Sequence, residues 1–144
     1  MNDLLLIVTI AGQKLALRAA NVQSVIEVGR LTPVPRAARH VAGLWALRSR
    51  VLTAIDCRRC LGQTDGEAPR YAVVVEHDGH SYALLVEAVD DVTGARSEVE
   101  PVAAPLCPGW DTMTQGMIET VEGPMLVVDT AAMIAGPEDA RVSA

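Results

Sequence analysis

Two cysteines three residues apart, Cys57 and Cys60, are the residues of this chain whose type and spacing most suggest chemistry. A C-x-x-C pair supports thiol exchange at a helix N-terminus, and it binds zinc when a second pair of ligands completes the site. The chain holds no second C-x-x-C and no H-x3-H. Cys60 also takes the place of Met133 in the sequence repeat described below, where an apolar core residue is expected. We therefore interpret both thiols as structural or incidental; a thiol redox protein is the alternative.

The other nucleophiles and metal ligands form no catalytic arrangement. His77 and His80 flank an Asp-Gly turn, and a tight turn normally exposes its side chains to solvent. Neither Ser24 nor Ser49 stands in a nucleophile-elbow sequence, and no glycine-rich phosphate loop precedes a helix. The sequence therefore predicts a protein that is not an enzyme and has no metal or cofactor.

The composition fits a compact protein that does not bind nucleic acid. The 144 residues fill one domain or two small fused ones, and half of them are hydrophobic, so a real core is possible. The net charge of -6 is opposite to that of proteins that bind phosphate backbones. Phe is absent, and two Trp and two Tyr leave few surfaces on which bases could stack. These features oppose an oligonucleotide-binding barrel.

No segment has the pattern of an export signal or a membrane span. The apolar segment from Leu4 to Ile10 is short, and it lacks the charged n-region and the cleavage site of a signal peptide. Three cysteines leave at least one unpaired, which favours a reducing compartment. We expect a cytoplasmic protein.

The second half of the chain repeats the first, in two blocks without gaps. The first block matches Gly12, Leu15, Ala16, Leu17, Val22 and Val25 to Gly79, Tyr82, Ala83, Leu84, Val89 and Val92. The second block matches Gly43, Leu52, Ile55, Asp56, Cys60 and Leu61 to Gly116, Met125, Val128, Asp129, Met133 and Ile134. Two like units favour paired subdomains, and a seam between subdomains is a preferred binding position.

Short strands dominate the predicted elements of each unit. Each unit opens with a hairpin around a glycine turn, at Gly12 and at Gly79, and later forms two further strands. Asp56 and Asp129 follow the last of these strands and are placed to cap short helices. This spacing predicts an all-β fold of two small barrels. We expect a single domain over residues 1–136, with repeat units of about 4–62 and 71–136, and a flexible tail over residues 137–144.

Two charged residues, Glu27 and Arg48, interrupt or end apolar segments. One interpretation is that both project from strand ends into water. The other is that they meet across neighbouring strands, where opposite charges stabilise a sheet by about 0.2 to 1 kcal/mol. On the second interpretation we expect an ion pair that holds a surface in shape.

The segment TPVPRAARHVAGLWALRSRVLTAIDCRRCLG, Thr32 to Gly62, resembles the CheW family of chemotaxis coupling proteins. The family typically shows TPVP, then Gly-(Val/Ile)-Ile-Asn-Leu-Arg-Gly-x-Val-(Ile/Leu)-Pro-(Val/Ile)-(Ile/Val)-Asp-Leu-Arg. Matches at Gly79 to Val92 and at Met125 to Ile134 extend the resemblance over nearly the whole chain. In three places the chain departs from the family pattern: Ala46 replaces the usual Asn, Ser49 the usual Gly and Thr53 the usual Pro.

The resemblance implies a non-catalytic adaptor made of two five-stranded, SH3-like barrels. Such an adaptor joins the cytoplasmic tip of methyl-accepting chemoreceptors to the regulatory domain of the histidine kinase CheA, at membrane receptor arrays and without inserting into the membrane. The three departures leave a coupling protein of another chemosensory pathway as an alternative.

The resemblance also implies a receptor site in the groove between the barrels, with the kinase face elsewhere on the first barrel. Val25 and Val92, at equivalent repeat positions, are expected on the groove walls. Matched position by position, six residues correspond to the family's receptor-facing and groove-supporting positions: Val25, Glu27, Gly43, Arg48, Ala83 and Val92.

Overall fold

The computed structural model describes residues 4–63, 68–102 and 109–136. These residues form ten β-strands, three short α-helices and a 3-10 turn. The strands are β1 (Leu4–Ile10), β2 (Gln13–Arg18), β3 (Val22–Glu27), β4 (Val41–Leu47), β5 (Arg50–Asp56), β6 (Tyr71–His77), β7 (His80–Val86), β8 (Ala88–Gly94), β9 (Thr114–Thr120) and β10 (Gly123–Val128). The helices are α1 (Cys57–Cys60), α2 (Trp110–Met113) and α3 (Thr130–Ala135), and the 3-10 turn is Ala19–Asn21. The tail expected to be flexible, residues 137–144, lies outside the described residues.

The strands form two five-stranded sheets. The first sheet has the order β8-β1-β2-β10-β9, and the second has the order β3-β6-β7-β5-β4. Neighbouring strands are antiparallel, except that β2 with β10 and β5 with β7 are parallel pairs. Within the described residues no ladder joins the two outer strands of either sheet, so each sheet is open and not a closed barrel. The expected all-β fold with two five-stranded, SH3-like units is confirmed in this open form.

The two sequence repeats exchange their hairpins. Strands β1 to β5 belong to the first repeat and β6 to β10 to the second, yet each sheet contains the hairpin of one repeat and three strands of the other. The parallel register repeats as well. Ala16 lies opposite Val127 in the first sheet, and their repeat counterparts, Ala83 and Ala54, lie opposite each other in the second. The two sheets therefore have the same topology, and each depends on both halves of the chain.

The turns of the two repeat-opening hairpins, β1–β2 and β6–β7, each have two residues with left-handed backbone. Ala11 and Gly12 have φ of 53° and 78°, and Asp78 and Gly79 have φ of 51° and 79°. Two-residue turns of this kind match the right-handed twist of the flanking strands, and glycine takes positive φ without steric cost. Both predicted hairpins are confirmed.

The largest hydrophobic cluster joins the two sheets. Its buried strand residues come from β1, β2 and β10 of the first sheet and from β5, β6 and β7 of the second, and α1, α2 and α3 also pack into it. Each sheet also has one smaller hydrophobic cluster of its own. That of the second sheet lies around Trp45 and Leu52, and that of the first sheet lies around Leu5 and Ile118. The seam between the sheets is therefore packed with apolar side chains, where the hydrophobic effect binds the two sheets into one body.

In each sheet, a loop from earlier in the chain lies against one outer strand. Thr32 and Leu44 exchange two backbone hydrogen bonds of 2.8 Å against β4, and Glu100 and Met117 exchange two of 2.8 Å against β9. The outer edges of β3 and β8 have no such cover within the described residues. Open edges with unpaired backbone groups are available to partners.

Close approach of these loops requires glycine at two equivalent positions. Gly43 has a φ of 154°, and a Cβ there would lie 2.7 Å from the Thr32 carbonyl oxygen. Gly116 has a φ of 148°, and its Cβ would collide with the Glu100 carbonyl oxygen. Neither the backbone conformation nor the space admits a larger residue.

We expect Gly43→Ala and Gly116→Ala each to lower the free energy of unfolding by about 2 kcal/mol or more, through strain and the loss of the loop contact. Gly94→Ala is the matched control, because Gly94 has no positive φ and a Cβ there would meet nothing within 4 Å; its change should stay below about 0.5 kcal/mol. Urea unfolding measures all three. Equal stabilities of the three variants would show that the close approach carries no constraint.

Candidate functional site

Two of the six predicted site residues are apolar and exposed on uncovered outer strands. Val25 lies on β3 at the edge of the second sheet and is 38% exposed. Val92 lies on β8 at the edge of the first sheet and is 48% exposed. Their neighbours in the repeat, Val22 and Val89, pack against the cluster between the sheets. An exposed valine on an open edge gives each sheet a surface on which a partner can bury apolar area.

The seam between the sheets is packed at its centre, so the expected groove can lie only at the surface, and it stays a prediction. The cluster that joins the sheets fills the seam with buried residues from both sheets, including Val8 and Val73. Val25 and Val92 lie on different sheets and face outward from this packing. Any partner that contacts both valines must therefore lie across the outside of the molecule.

Gly43 and Ala83 are buried and can only support the surface. Ala83 has no exposed area, and it lies in the centre of the second sheet between Ala54 on β5 and Val74 on β6. A larger side chain at this position would push these central strands apart. Gly43 gives the loop at Thr32 its place against β4, as shown above.

The predicted cross-strand ion pair between Glu27 and Arg48 is wrong. Glu27 ends β3 and Arg48 follows β4, and these strands form opposite edges of the second sheet, so they are not neighbours. Both residues are exposed, and among the described residues the ion pairs within 4.0 Å do not include them. The first interpretation, projection into water, describes both side chains.

Arg48 also shows how the chain tolerates Ser49. Arg48 takes the left-handed conformation itself, with a φ of 58°, and Ser49 has no positive φ. The position at which the family has glycine thus needs none in this turn. The β4–β5 hairpin keeps its two-residue turn between Leu47 and Arg50.

The two thiols of Cys57 and Cys60 are buried at the helix α1. The Cys60 thiol donates to the backbone carbonyl of Met133 over 3.4 Å, so α1 touches α3 at equivalent repeat positions. Burial raises the pKa of Cys57 well above its ordinary value, and burial together with the Asp56 carboxylate raises the pKa of Cys60 to about 12. Redox-active thiols need the opposite shift, toward thiolate at neutral pH. The geometry therefore opposes thiol exchange and agrees with a structural role.

A buried carboxylate fixes the start of α1. The Asp56 side chain accepts a hydrogen bond of 3.0 Å from the backbone N–H of Arg58, as expected for an N-cap, and Asp129 caps α3 in the same way. Asp56 also pairs with the guanidinium groups of Arg58 at 3.3 Å and Arg59 at 3.4 Å. Sequence reasoning identified the cap but missed this ion cluster, for which the adjacent arginines were the available signal.

The described residues contain no cluster of three His, Cys, Asp or Glu side chains that could hold a metal ion. His77 instead lies beside Asp78, with 3.5 Å between Nε2 and Oδ2, at an exposed turn. In the same part of the chain, no helix has the length and apolar character needed to cross a membrane.

A second exposed apolar surface was missed by sequence reasoning. On the outer face of β4 and β5, Leu44 is 37% exposed and Val51 is 64% exposed. Ala46 pairs with Val51 across the two strands and is also exposed. Leu44 and Ala46 alternate with the buried Gly43 and Trp45 along β4, and this alternation was the signal in the sequence.

Comparison with known families identifies the chain. The model of the CheW-like domain matches residues 4–138, which include both sheets. The chain belongs to the CheW-like domain family. No curated protein matches it in sequence. Among solved structures, the scaffolding protein TtCheW from Thermoanaerobacter tengcongensis is similar in fold, with a TM-score of 0.78, 20% sequence identity and 90% of each chain covered. At this identity the likeness shows a shared CheW fold.

The buried thiols of this CheW-like chain predict a loss of stability in alkali. The pKa of a thiol in the unfolded chain is near 9.0, whereas the pKa of Cys60 in the folded protein is raised to about 12. The folded state therefore binds more protons in this window, and each thiol should lower the free energy of unfolding by about 1.4 kcal/mol per pH unit above pH 9. Below pH 9 the thiols should contribute no pH dependence.

Urea unfolding between pH 8 and pH 11 measures this for the parent and for a Cys57→Ala/Cys60→Ala variant. The free energies of unfolding of the two proteins should begin to diverge at about the ordinary thiol pKa. The variant should show the flatter pH dependence, since its remaining ionisable groups are those of the parent. Equal slopes above pH 9 would mean that the thiols ionise in the folded protein.

Proposed function

We propose that this chain is a non-catalytic adaptor that couples the cytoplasmic tips of chemoreceptors to a CheA-type histidine kinase. The match of the CheW-like domain over residues 4–138 is the observation that carries the proposal, because it spans both sheets and every surface described above. TtCheW, which shares the fold, is a scaffolding protein. The neutral buried thiols and the lack of a metal cluster among the described residues agree with a binding role.

An adaptor needs two binding surfaces that are held at a fixed distance. This chain presents exposed apolar residues at Val25 and Val92 on the outer edges of the two sheets, and at Leu44 and Val51 on the β4–β5 face. The cluster between the sheets makes them parts of one rigid body. Two partners can therefore bind one molecule without competing for the same residues.

We assign the receptor to the surface of Val25 and Val92, with Glu27 as an exposed polar contact and Gly43 and Ala83 as buried support. The sixth predicted position, Arg48, lies in the β4–β5 turn at the opposite edge of the second sheet from Glu27, so we leave it out of this surface. A receptor tip is a helical hairpin, and a helix docks by laying an apolar stripe on an apolar surface. Val25 and Val92 supply that surface, and they occupy equivalent positions in the repeat.

We assign the kinase regulatory domain to the face of Leu44, Ala46 and Val51. This face belongs to the first repeat, in which the kinase contact was expected, and it lies on different strands from both receptor-facing valines. Ala46 stands where the family usually has a more polar residue, which makes the face more apolar. A coupling protein of a separate chemosensory pathway would use the same two surfaces with other receptors and another kinase.

Three valine-to-glutamate substitutions test the receptor surface and the kinase surface independently. Val92→Glu should bury an unpaired carboxylate when the receptor docks, and weaken receptor binding by about tenfold or more. Val51→Glu should weaken kinase binding in the same way. Val121→Glu is the control, because Val121 is similarly exposed but lies in the β9–β10 turn; it should leave both bindings unchanged.

Co-sedimentation with receptor-bearing membranes and pull-down with the purified kinase domain measure the two bindings, and thermal melting confirms that each variant is folded. The assignment fails if folded Val92→Glu loses receptor and kinase equally. It also fails if Val92→Glu behaves like Val121→Glu toward the receptor.

A further inference from the structure

The parallel junction of the first sheet has a much shorter ladder than that of the second. Within the described residues, β10 pairs with β2 at a single register position, Val127 with Ala16. At the equivalent junction of the second sheet, β5 pairs with β7 at four positions, from Thr53 to Asp56. Backbone hydrogen bonds therefore hold the β9–β10 hairpin, residues 114–128, to β2 less firmly than they hold the β4–β5 hairpin to β7.

The side chains at the two junctions differ in the same direction. In the first sheet, Arg18 on β2 donates to the Gln115 side chain on β9 over 3.3 Å, at the exposed surface. The repeat counterparts of these residues are Leu85 and Ala42, which both belong to the smaller hydrophobic cluster of the second sheet. An exposed hydrogen bond stabilises less than buried apolar area does, because water competes for its partners. The first junction is therefore the weaker one in its side chains as well.

The base of the β9–β10 hairpin is fixed to the rest of the molecule. Met113 precedes β9 and Val128 ends β10, and both are buried in the main cluster between the sheets. The Asp129 N–H donates to the Met113 carbonyl over 2.8 Å, which ties the two ends of the hairpin together. Further along, Nε2 of the buried His40 donates to the Ile134 carbonyl at the end of α3 over 2.9 Å. Any movement of the hairpin must therefore be a rotation about this base.

The tip of the hairpin is held by Lys14, near the start of β2. The Lys14 Nζ lies 3.4 Å from Oε1 of Glu122 in the β9–β10 turn and 3.4 Å from Oδ2 of Asp90 on β8. The hydrogen bond to Asp90 and the charge of Glu122 raise the pKa of Lys14, so its ammonium group is charged at neutral pH. Val121 beside Glu122 is 61% exposed, so apolar burial of this side chain does not anchor the tip. Salt and water compete with such exposed ion pairs.

We propose that the β9–β10 hairpin is a flap that opens away from β2 about its base while the other strands stay folded, and that Lys14 is the latch that holds its tip closed. Segments that open locally are those held by few contacts. The closed flap completes the smaller hydrophobic cluster of the first sheet, which contains Leu5, Ile7, Ala16, Ile118, Met125 and Val127. Opening exposes this cluster to water, so the closed state dominates and the open state is a minor population.

The flap moves a part of the molecule that neither proposed partner surface uses. The valines and leucine assigned to receptor and kinase lie on β3, β8, β4 and β5, outside the flap. The loop of residues 95–102 moves with the flap, because Arg96 donates to the Glu119 carbonyl over 2.8 Å and Glu100 exchanges two hydrogen bonds with Met117. Opening therefore displaces this loop and leaves the receptor and kinase surfaces in place. The flap goes beyond the adaptor function and does not depend on it.

Amide hydrogen exchange of the full chain, resolved by residue with NMR, tests the flap. Amides that donate across the β2–β10 junction should exchange about tenfold or more faster than those that donate across the β5–β7 junction, because the flap opens without global unfolding. Raising the salt concentration from about 0.1 M to about 1 M should speed the first set further, since ions screen the exposed pairs of Lys14. The exchange across β5–β7 should not follow this change.

Substitutions of Lys14 test the latch. Lys14→Gln removes both ion pairs and should speed exchange across β2–β10 by about threefold or more. Lys14→Arg keeps the charge and should exchange as the parent does. Arg50→Gln is the matched control, because Arg50 donates to the Ser81 hydroxyl, and Ser81 is the repeat counterpart of Lys14 at the second junction. This variant should change exchange across β5–β7 by less than about twofold, since the longer ladder remains.

Three results overturn the proposal. Equal exchange rates at the two junctions of the parent would show that the shorter ladder does not open on its own. A Lys14→Gln variant in which both junctions speed up equally would show that exchange passes through global unfolding. If Lys14→Gln leaves the exchange across β2–β10 unchanged, or Lys14→Arg speeds it as much as Lys14→Gln does, the charge of Lys14 does not hold the flap closed.

Discussion

The exchange of hairpins between the two repeats is the constraint on which the rest of the structure depends. Neither repeat holds a complete sheet, because the hairpin of one completes the strands of the other through the parallel pairs β2–β10 and β5–β7. The main hydrophobic cluster takes its residues from both sheets and therefore from both halves of the chain. We therefore expect the two halves to unfold together, so that both surfaces proposed for partners belong to a single cooperative unit.

This rigidity has a direct use in an adaptor. The apolar residues proposed for the receptor lie on outer strands of both sheets, whereas those proposed for the kinase lie on a face of the second sheet alone. A packed core transmits position between them without a hinge, because interiors at native density resist deformation. The proposed task needs no reactive group. Asp56 caps α1, and the Cys60 thiol donates to the Met133 carbonyl of α3.

Local signals were sufficient for the hairpins and the helix caps. Gly12 and Gly79 mark turns that need positive φ, and Asp56 and Asp129 mark helix starts, so the repeat could be read as two similar β units. The parallel pairing of β2 with β10 had no local signal, since it joins residues more than a hundred positions apart. Because strand order also had no local signal, the Glu27–Arg48 pair was predicted incorrectly: strand order decides which charged side chains meet. The receptor-site assignment, which came from the family resemblance, stays a prediction.

In the proposed function, one molecule of this chain holds receptor and kinase together. Co-sedimentation of the purified kinase with receptor-bearing membranes measures this directly. It is done without the chain, and with the chain at about the concentration that saturates the receptor. Little kinase should sediment without the chain, and both kinase and chain should sediment when the chain is added. A large excess of chain should return kinase to solution, because separate molecules of the chain then occupy receptor and kinase. The opposite result would be that the chain sediments with the membranes while the kinase stays in solution, although chain and kinase bind each other when the receptor is absent. That result would show that one molecule does not hold both partners.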